Sequence, residues 1–129
     1  MRSSPRIKWS TADVSPRDCT LTVKLVGDPP REWDAEVRRI LRELKREGYA
    51  QSFAAKTALQ RYPQISFQVV AVEEGEEQAV KAFLNDLVER ANSASARAAR
   101  AAEAERTRRA ADSDVEHKRA ERMQQRFRG

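Results

Sequence analysis

The feature that most constrains this chain is a long stretch without helix breakers. No proline occurs after Gly75, and the next glycine is Gly129. Between residues 94 and 111, 16 of 18 residues are alanine, arginine or glutamate, all of which have high helix propensity. A helix that begins after Gly75 is therefore expected to continue well beyond the residues that can pack on a core.

The larger apolar residues predict two helices and three strands around one small core. Residues at helical spacing form one stripe within residues 30–47 and a second stripe after Gly75. Their members are Trp33, Val37, Ile40, Leu41 and Leu44 in the first, and Val80, Phe83, Leu84, Leu87, Val88 and Ala91 in the second. Alternation of apolar and polar residues predicts strands over residues 19–26, 49–59 and 64–72, although the alanines of 49–59 also permit a helix.

The order strand, helix, strand, strand, helix predicts an α+β fold. It corresponds to a three-stranded β-α-β-β-α split unit, a ferredoxin-like plait lacking its last strand, with a long C-terminal helix. A right-handed crossover places the third strand between the first two and both helices on one face of the sheet. The outer edge of the first strand is then unpaired, and the N-terminal segment or another chain is expected to cover it.

Charge divides the chain into three predicted parts. Residues 1–18 are interpreted as a flexible N-terminal arm with a net charge of +2, and residues 19–93 as the α+β body. The body is slightly acidic, with −2 over residues 19–89, whereas residues 90–129 carry +5. Residues 94–129 are predicted to form a basic helical tail with a break near 112–114, where Ser113 and Glu116 fit a capping box.

Several classes of function are disfavoured by the residues present. One cysteine and one histidine do not make a conventional zinc site, and the scattered glycines form no phosphate-binding loop. Ser113, Asp114 and His117 are neighbours at helical spacing, but on a polar segment without a pocket. The glutamates at 73, 74, 76 and 77 are interpreted as favourable charges at a helix N-terminus rather than as a metal site. Cys19 is expected to be a small core residue.

These exclusions predict a non-enzymatic protein without cofactor, metal or small-molecule ligand. No apolar run approaches the ~20 residues of a membrane span, and the first residues lack the apolar stretch of a secretory signal. The expected location is the cytoplasm, without membrane contact. A single cysteine is consistent with that reducing compartment.

The candidate binding site is the set of basic residues in the tail. Arginine outnumbers lysine 19 to 6 in the chain, and its forked guanidinium suits phosphate and carboxylate partners. The expected partner is nucleic acid or a ribonucleoprotein. The candidate residues are Arg97, Arg100, Arg106, Arg108, Arg109, Lys118, Arg119, Arg122, Arg126 and Arg128.

Three alternatives remain open at this point. Arginine-rich composition also arises from GC-rich codon usage, and six carboxylates dilute the tail's positive charge. The tail is alternatively a helix–helix seam, because Val80, Leu84, Leu87, Ala91, Ala94, Ala98 and Ala101 continue a 4-3 spacing. That seam and the free strand edge would make the protein an interaction or structural subunit that joins a protein partner or a second copy. Trp9 either docks on the protein's own body or stacks on a base.

Overall fold

A computed structural model describes residues 4–47, 53–61 and 64–129 of the chain. Its elements are β1 (Arg6–Val14), β2 (Leu21–Val26), α1 (Trp33–Arg46), α2 (Phe53–Lys56), β3 (Thr57–Gln60), β4 (Ser66–Val69) and α3 (Glu77–Arg128). The chain divides into two compact units, Met1–Ser95 and Ala96–Gly129. The first unit contains the sheet, and the second is the continuation of α3.

The sheet has four strands in the order β1-β2-β4-β3, and all neighbours are antiparallel. The α+β class is confirmed, and β4 lies between β2 and β3, where the third predicted strand was expected. The three-stranded count is wrong, because residues assigned to a flexible arm form β1. Ile7 pairs with Leu25, and Val14 pairs with Leu21. By pairing with β2, this segment satisfies backbone groups that would otherwise form a free edge.

An irregularity interrupts the β1–β2 ladder. The register shifts between Lys8 and Asp13, so β1 contains more residues than the facing part of β2. The Thr11 hydroxyl bridges this gap: it donates to the Lys8 carbonyl at 2.6 Å and accepts from the Lys24 amide at 3.0 Å. A side chain thus replaces the missing ladder partner, and pairing resumes in a shifted register where Asp13 is opposite Thr22.

The core lies between one face of the sheet and two helices. Trp33, Val37 and Ile40 of α1 belong to one buried cluster with residues of α3 and of the strands. The buried α3 members are Val80, Leu84, Leu87, Val88 and Ala91, and the strands contribute Leu21, Val23, Leu59, Phe67 and Val69. Trp33 is fully buried, and its ring centroid lies 6.4 Å from that of Phe67. The predicted apolar stripes are therefore the sides of α1 and α3 that pack on the sheet.

The segment predicted as a strand over residues 49–59 is only partly extended. Residues 49–52 lie outside the described residues. Phe53–Lys56 forms the short helix α2, and only Thr57–Gln60 forms strand β3. The Thr57 hydroxyl donates to the Phe53 carbonyl, and the Phe53 ring packs 6.0 Å from Phe83. Packing of Phe53 on α3 thus favours the helical turn that the alanines permitted.

Helix α3 passes through Asp112, Ser113 and Asp114 without interruption, so the predicted break is wrong. Asp114 forms an i,i+4 ion pair with Lys118 at 3.3 Å. Aspartate and serine inside a helix cost only a few tenths of a kcal/mol more than the surrounding residues. Good helix formers on both sides, together with such pairs, offset that cost.

Asn92 joins three parts of the first unit through its side-chain amide. Its Oδ1 accepts from the Nε1 of buried Trp33 at 2.8 Å, and its Nδ2 donates to the Pro5 carbonyl at 3.0 Å. Trp9 makes a similar bond, from its Nε1 to Asn85 Oδ1 at 3.1 Å, but Asn85 is exposed. The two bonds have the same chemistry in different surroundings.

Replacing Asn92 with alanine is expected to reduce the free energy of unfolding by about 1–3 kcal/mol, because the buried Trp33 N–H loses its acceptor. Asn85→Ala is the matched control, with an expected loss of about 0.5 kcal/mol, since water can replace the exposed amide. Urea unfolding of both variants measures the difference. Equal losses for the two would show that the Asn92 bond has no special structural role.

Candidate nucleic-acid interface

All ten basic residues predicted to bind a partner lie on α3 and are exposed. They belong to the second unit, where the described residues 96–128 form a single helix. Their arrangement around the helix axis follows from the ~100° rotation per residue of an α-helix. That arrangement decides whether the positive charges act together.

Seven of the ten fall within a sector of about 100° around the axis. We call this set the basic stripe: Arg97, Arg100, Arg108, Lys118, Arg119, Arg122 and Arg126. The remaining positions of the sector are Ala101, Ala104, Ala111 and Val115, so residues 97–126 of α3 place no carboxylate in it. Arg106, Arg109 and Arg128 lie outside the sector. The dilution of charge along the sequence therefore does not extend to this face.

The carboxylates of this part of α3 lie on both sides of the stripe. Glu105, Asp112 and Glu116 follow one border, and Glu103, Asp114 and Glu121 lie beyond the other. Opposite charges are thus segregated laterally rather than mixed. An anion approaching the stripe meets cations first, with the negative charges displaced to the sides.

A larger fraction of the arginines outside the basic stripe than of the stripe residues form ion pairs. Arg106 pairs with Glu103 at 2.6 Å and Arg109 pairs with Glu105 at 3.1 Å. Two stripe members also have acidic partners: Arg108 contacts Glu105, and Lys118 contacts Asp114. Within the part of the chain that the structure describes, the other five make no ion pair; they are Arg97, Arg100, Arg119, Arg122 and Arg126. Exposed pairs of this kind contribute well under about 1 kcal/mol, so they yield readily to a phosphate.

The alternative helix–helix seam is largely used inside the first unit. Five of its seven members are buried in the protein: Val80, Leu84, Leu87, Ala91 and Ala94. Ala98 is half-buried, and Ala101 is exposed within the basic stripe. The 4-3 spacing therefore reflects packing of α3 on the sheet, and little of it is left for a partner helix.

Two other residues singled out from the sequence, Trp9 and Cys19, lie in the first unit. Trp9 is half-buried on β1, where Lys81 Nζ lies 5.2 Å from its ring centroid, so it docks on the protein's own surface. Cys19 is exposed, contrary to the expected core position. It precedes β2 with a φ of 52°, donates its N–H to the Ser15 carbonyl and accepts from Val72 N–H, so the tight turn directs its side chain outward.

Two acidic residues at the start of α3 accept hydrogen bonds from nearby backbone N–H groups. The Glu77 carboxylate accepts from the Gly75 N–H at 2.9 Å, and Glu76 accepts from the Glu73 N–H at 3.1 Å. Bonds from the backbone N–H groups of Glu77 and Gly75 lower the pKa of the Glu77 carboxyl. Ser113, Asp114 and His117 are all exposed, and the nearest partner of His117 is Glu121 at 4.0 Å.

Residues 4–47, 53–61 and 64–129 contain no group of three or more His, Cys, Asp or Glu side chains placed to hold a metal ion. Among the described helices, none is both long and apolar enough to span a membrane. No protein-family model matches this chain, and neither does any curated protein or solved structure. The basic stripe is the feature on which a functional proposal is based.

Proposed function

We propose that the protein is a non-enzymatic binding module whose basic stripe contacts the phosphates of a nucleic acid, either free or in a ribonucleoprotein. The observation that carries the proposal is the grouping of seven cations in one helical sector that excludes carboxylates. Arginine predominates in that set, and its guanidinium forms two parallel hydrogen bonds with a phosphate.

The stripe is long enough to follow a nucleic-acid backbone. From Arg97 to Arg126 it extends about 43 Å, at the helical rise of ~1.5 Å per residue. A straight helix cannot track a curved backbone over its full length, so we expect about three to five simultaneous phosphate contacts. Such contacts give a log–log salt slope of about −3 to −4 on duplex nucleic acid.

Binding is expected to be weak and largely independent of base sequence. Between its cations the stripe presents only alanine and Val115, which offer no hydrogen bond to a base edge. Phosphate contacts position a protein on nucleic acid but carry little sequence information. Affinities for unrelated sequences of equal length should therefore agree within a few-fold.

The proposal is tested with two triple variants that remove the same charge from the same helix. Arg97, Arg100 and Arg119 belong to the stripe and make no ion pair with a described residue, and they are replaced with glutamine in the first variant. We expect roughly 10- to 100-fold weaker binding at 0.1 M salt and a salt slope flatter by about 1 to 2. Fluorescence anisotropy with labelled RNA and DNA over a salt series measures both quantities.

The matched control replaces Arg106, Arg109 and Arg128 with glutamine. These residues lie outside the stripe, and the first two have acidic partners, so the expected loss of affinity is about threefold or less. Circular dichroism checks that both variants keep their helix content. Equal losses of affinity in the two variants would show that the net charge of the helix, and not the position of the basic stripe, determines binding. Absence of wild-type binding at low salt would overturn the proposal and favour the interaction-subunit alternative.

A further inference from the structure

A cationic groove lies on the first unit and contains none of the residues of the basic stripe. Its volume is about 570 Å³, and its lining includes Lys8, Lys24 and Arg61. No aspartate or glutamate is among the described residues that line it. Grooves of a few hundred Å³ are the size in which proteins bind small molecules.

The register of the sheet places the two lysines side by side. Lys8 of β1 is directly opposite Lys24 of β2. The neighbouring pair, Ile7 and Leu25, packs on the core, and successive side chains of a strand alternate between faces. Lys8 and Lys24 therefore share the face of the sheet that is turned away from the helices.

This pairing is unfavourable without a counter-charge. Like charges directly opposite each other on antiparallel strands repel. Neither lysine forms an ion pair in the part of the chain covered by the structure. The bridging hydroxyl of Thr11, bonded to the Lys8 carbonyl and the Lys24 amide, fixes the two backbones next to each other. The strand register thus holds the two positive charges close to each other.

Arg61 adds a third cation from the end of β3. Its side chain is exposed, and its Nε lies 3.7 Å from Oδ1 of the half-buried Asp34, which is too long for a hydrogen bond. The apolar residues that line the groove include Pro29 and Val26, and Val26 lies on the same face of the sheet as Lys24 because it is two residues further along β2. Cations beside an apolar wall suit an organic anion better than a bare inorganic ion.

We propose that this groove binds a small phosphate monoester of mononucleotide size. Its dianionic phosphate would lie between Lys8 and Lys24, with Arg61 lining the same groove, and its organic part would lie against the apolar residues. This site shares no residue with the basic stripe, and its proposal does not depend on nucleic-acid binding there. It differs from the expectation of no small-molecule ligand that the sequence suggested.

The test uses the full chain with three probes: adenosine monophosphate, inorganic phosphate and adenosine. We expect the nucleotide to bind, to raise the midpoint of thermal unfolding, and to shift the NMR amide signals of Thr11 and Lys24. Adenosine lacks the phosphate and should produce neither effect. Equal binding of inorganic phosphate would overturn the assignment of an ester, and absence of any nucleotide-dependent shift at Thr11 or Lys24 would overturn the site.

Two double variants test the residues. Lys8→Gln with Lys24→Gln should weaken nucleotide binding at least about tenfold, while the unligated protein keeps or raises its unfolding midpoint because the repulsion is removed. Arg42→Gln with Lys45→Gln removes the same charge from the exposed side of α1 and should change binding by less than about twofold. Equal effects of the two pairs would contradict the proposal. An oligonucleotide that displaces the nucleotide and binds more tightly through the same lysines would also overturn it.

Discussion

Replacing Leu84 with alanine is expected to lower the free energy of unfolding by about 2–5 kcal/mol. Leu84 is fully buried, at 0% exposure, and belongs to the cluster that α1 and α3 form with the sheet. The loss combines two free-energy costs: the burial of the removed methyl groups no longer stabilises the fold, and a cavity is left in the core. Chemical denaturation followed by circular dichroism measures it.

Leu44→Ala is the control for this prediction, because the same atoms are removed from another predicted helical stripe. Leu44 is only half-buried at the edge of the cluster, so the expected loss is about 1–2 kcal/mol. Neighbouring side chains and water can fill the space at such a position. If Leu44→Ala destabilises the protein as much as Leu84→Ala, the boundary of the core described above is wrong.

The parts of the fold that the sequence predicted are those specified by their own residues. The stripe of Trp33, Val37 and Ile40 has the period of one helix face, and those residues are the buried ones in α1. Phe67 and Val69 alternate with more polar residues in β4 and are both fully buried. Where apolar residues repeat with one period, burial of that face outweighs the weaker local preferences.

Strand β1 was predicted only in part: the N-terminal segment was expected to cover the free edge of the first predicted strand, but its residues were assigned to a flexible arm and not to a strand. Only Ile7 and Trp9 pack on the core, and the register shift between Lys8 and Asp13 breaks the alternation. What places the segment is the free edge of β2, which is a property of the partner strand. A single sequence gives little signal of such long-range pairing. The unpaired edge gave the expectation of a covering segment, but it did not distinguish the N-terminal segment from another chain or predict the strand's register.

The predicted break at residues 112–114 shows the opposite error. Asp and Ser favour helix caps, so the local pattern resembled an N-terminus. A cap is gained only where a helix has to begin, and here strong helix formers lie on both sides. Breaking the helix there would lose backbone hydrogen bonds and gain only one cap.

The candidate sites differ in how far the sequence reveals them. The basic stripe follows from residue numbers and helical rotation alone, once α3 is known to be continuous. The ion pairs that separate Arg106 and Arg109 from the stripe require coordinates. The cationic groove could not be predicted, because the facing of Lys8 and Lys24 depends on the register of a strand that the sequence did not reveal.

Deleting residues 1–15 is expected to have the largest effect on the first unit. The deletion removes β1, the packing of Ile7 and Trp9, and the Pro5 carbonyl that accepts from Asn92. We expect a loss of roughly 3–5 kcal/mol from this packing and hydrogen bonding. The edge of β2 would also be exposed over Leu21–Val26, which offers unpaired N–H and C=O groups to a second copy.

Light scattering and thermal unfolding of the deletion variant measure the two consequences separately. We expect self-association that grows with protein concentration, together with a lower and broader unfolding transition. Deletion of residues 2–4 alone is the control, because it shortens the chain but leaves β1 and Pro5 in place. A 1–15 deletion that remains monomeric with an unchanged midpoint would show that β1 neither stabilises the sheet nor protects its edge. Self-association in the control as well would assign the effect to the chain terminus instead of the strand.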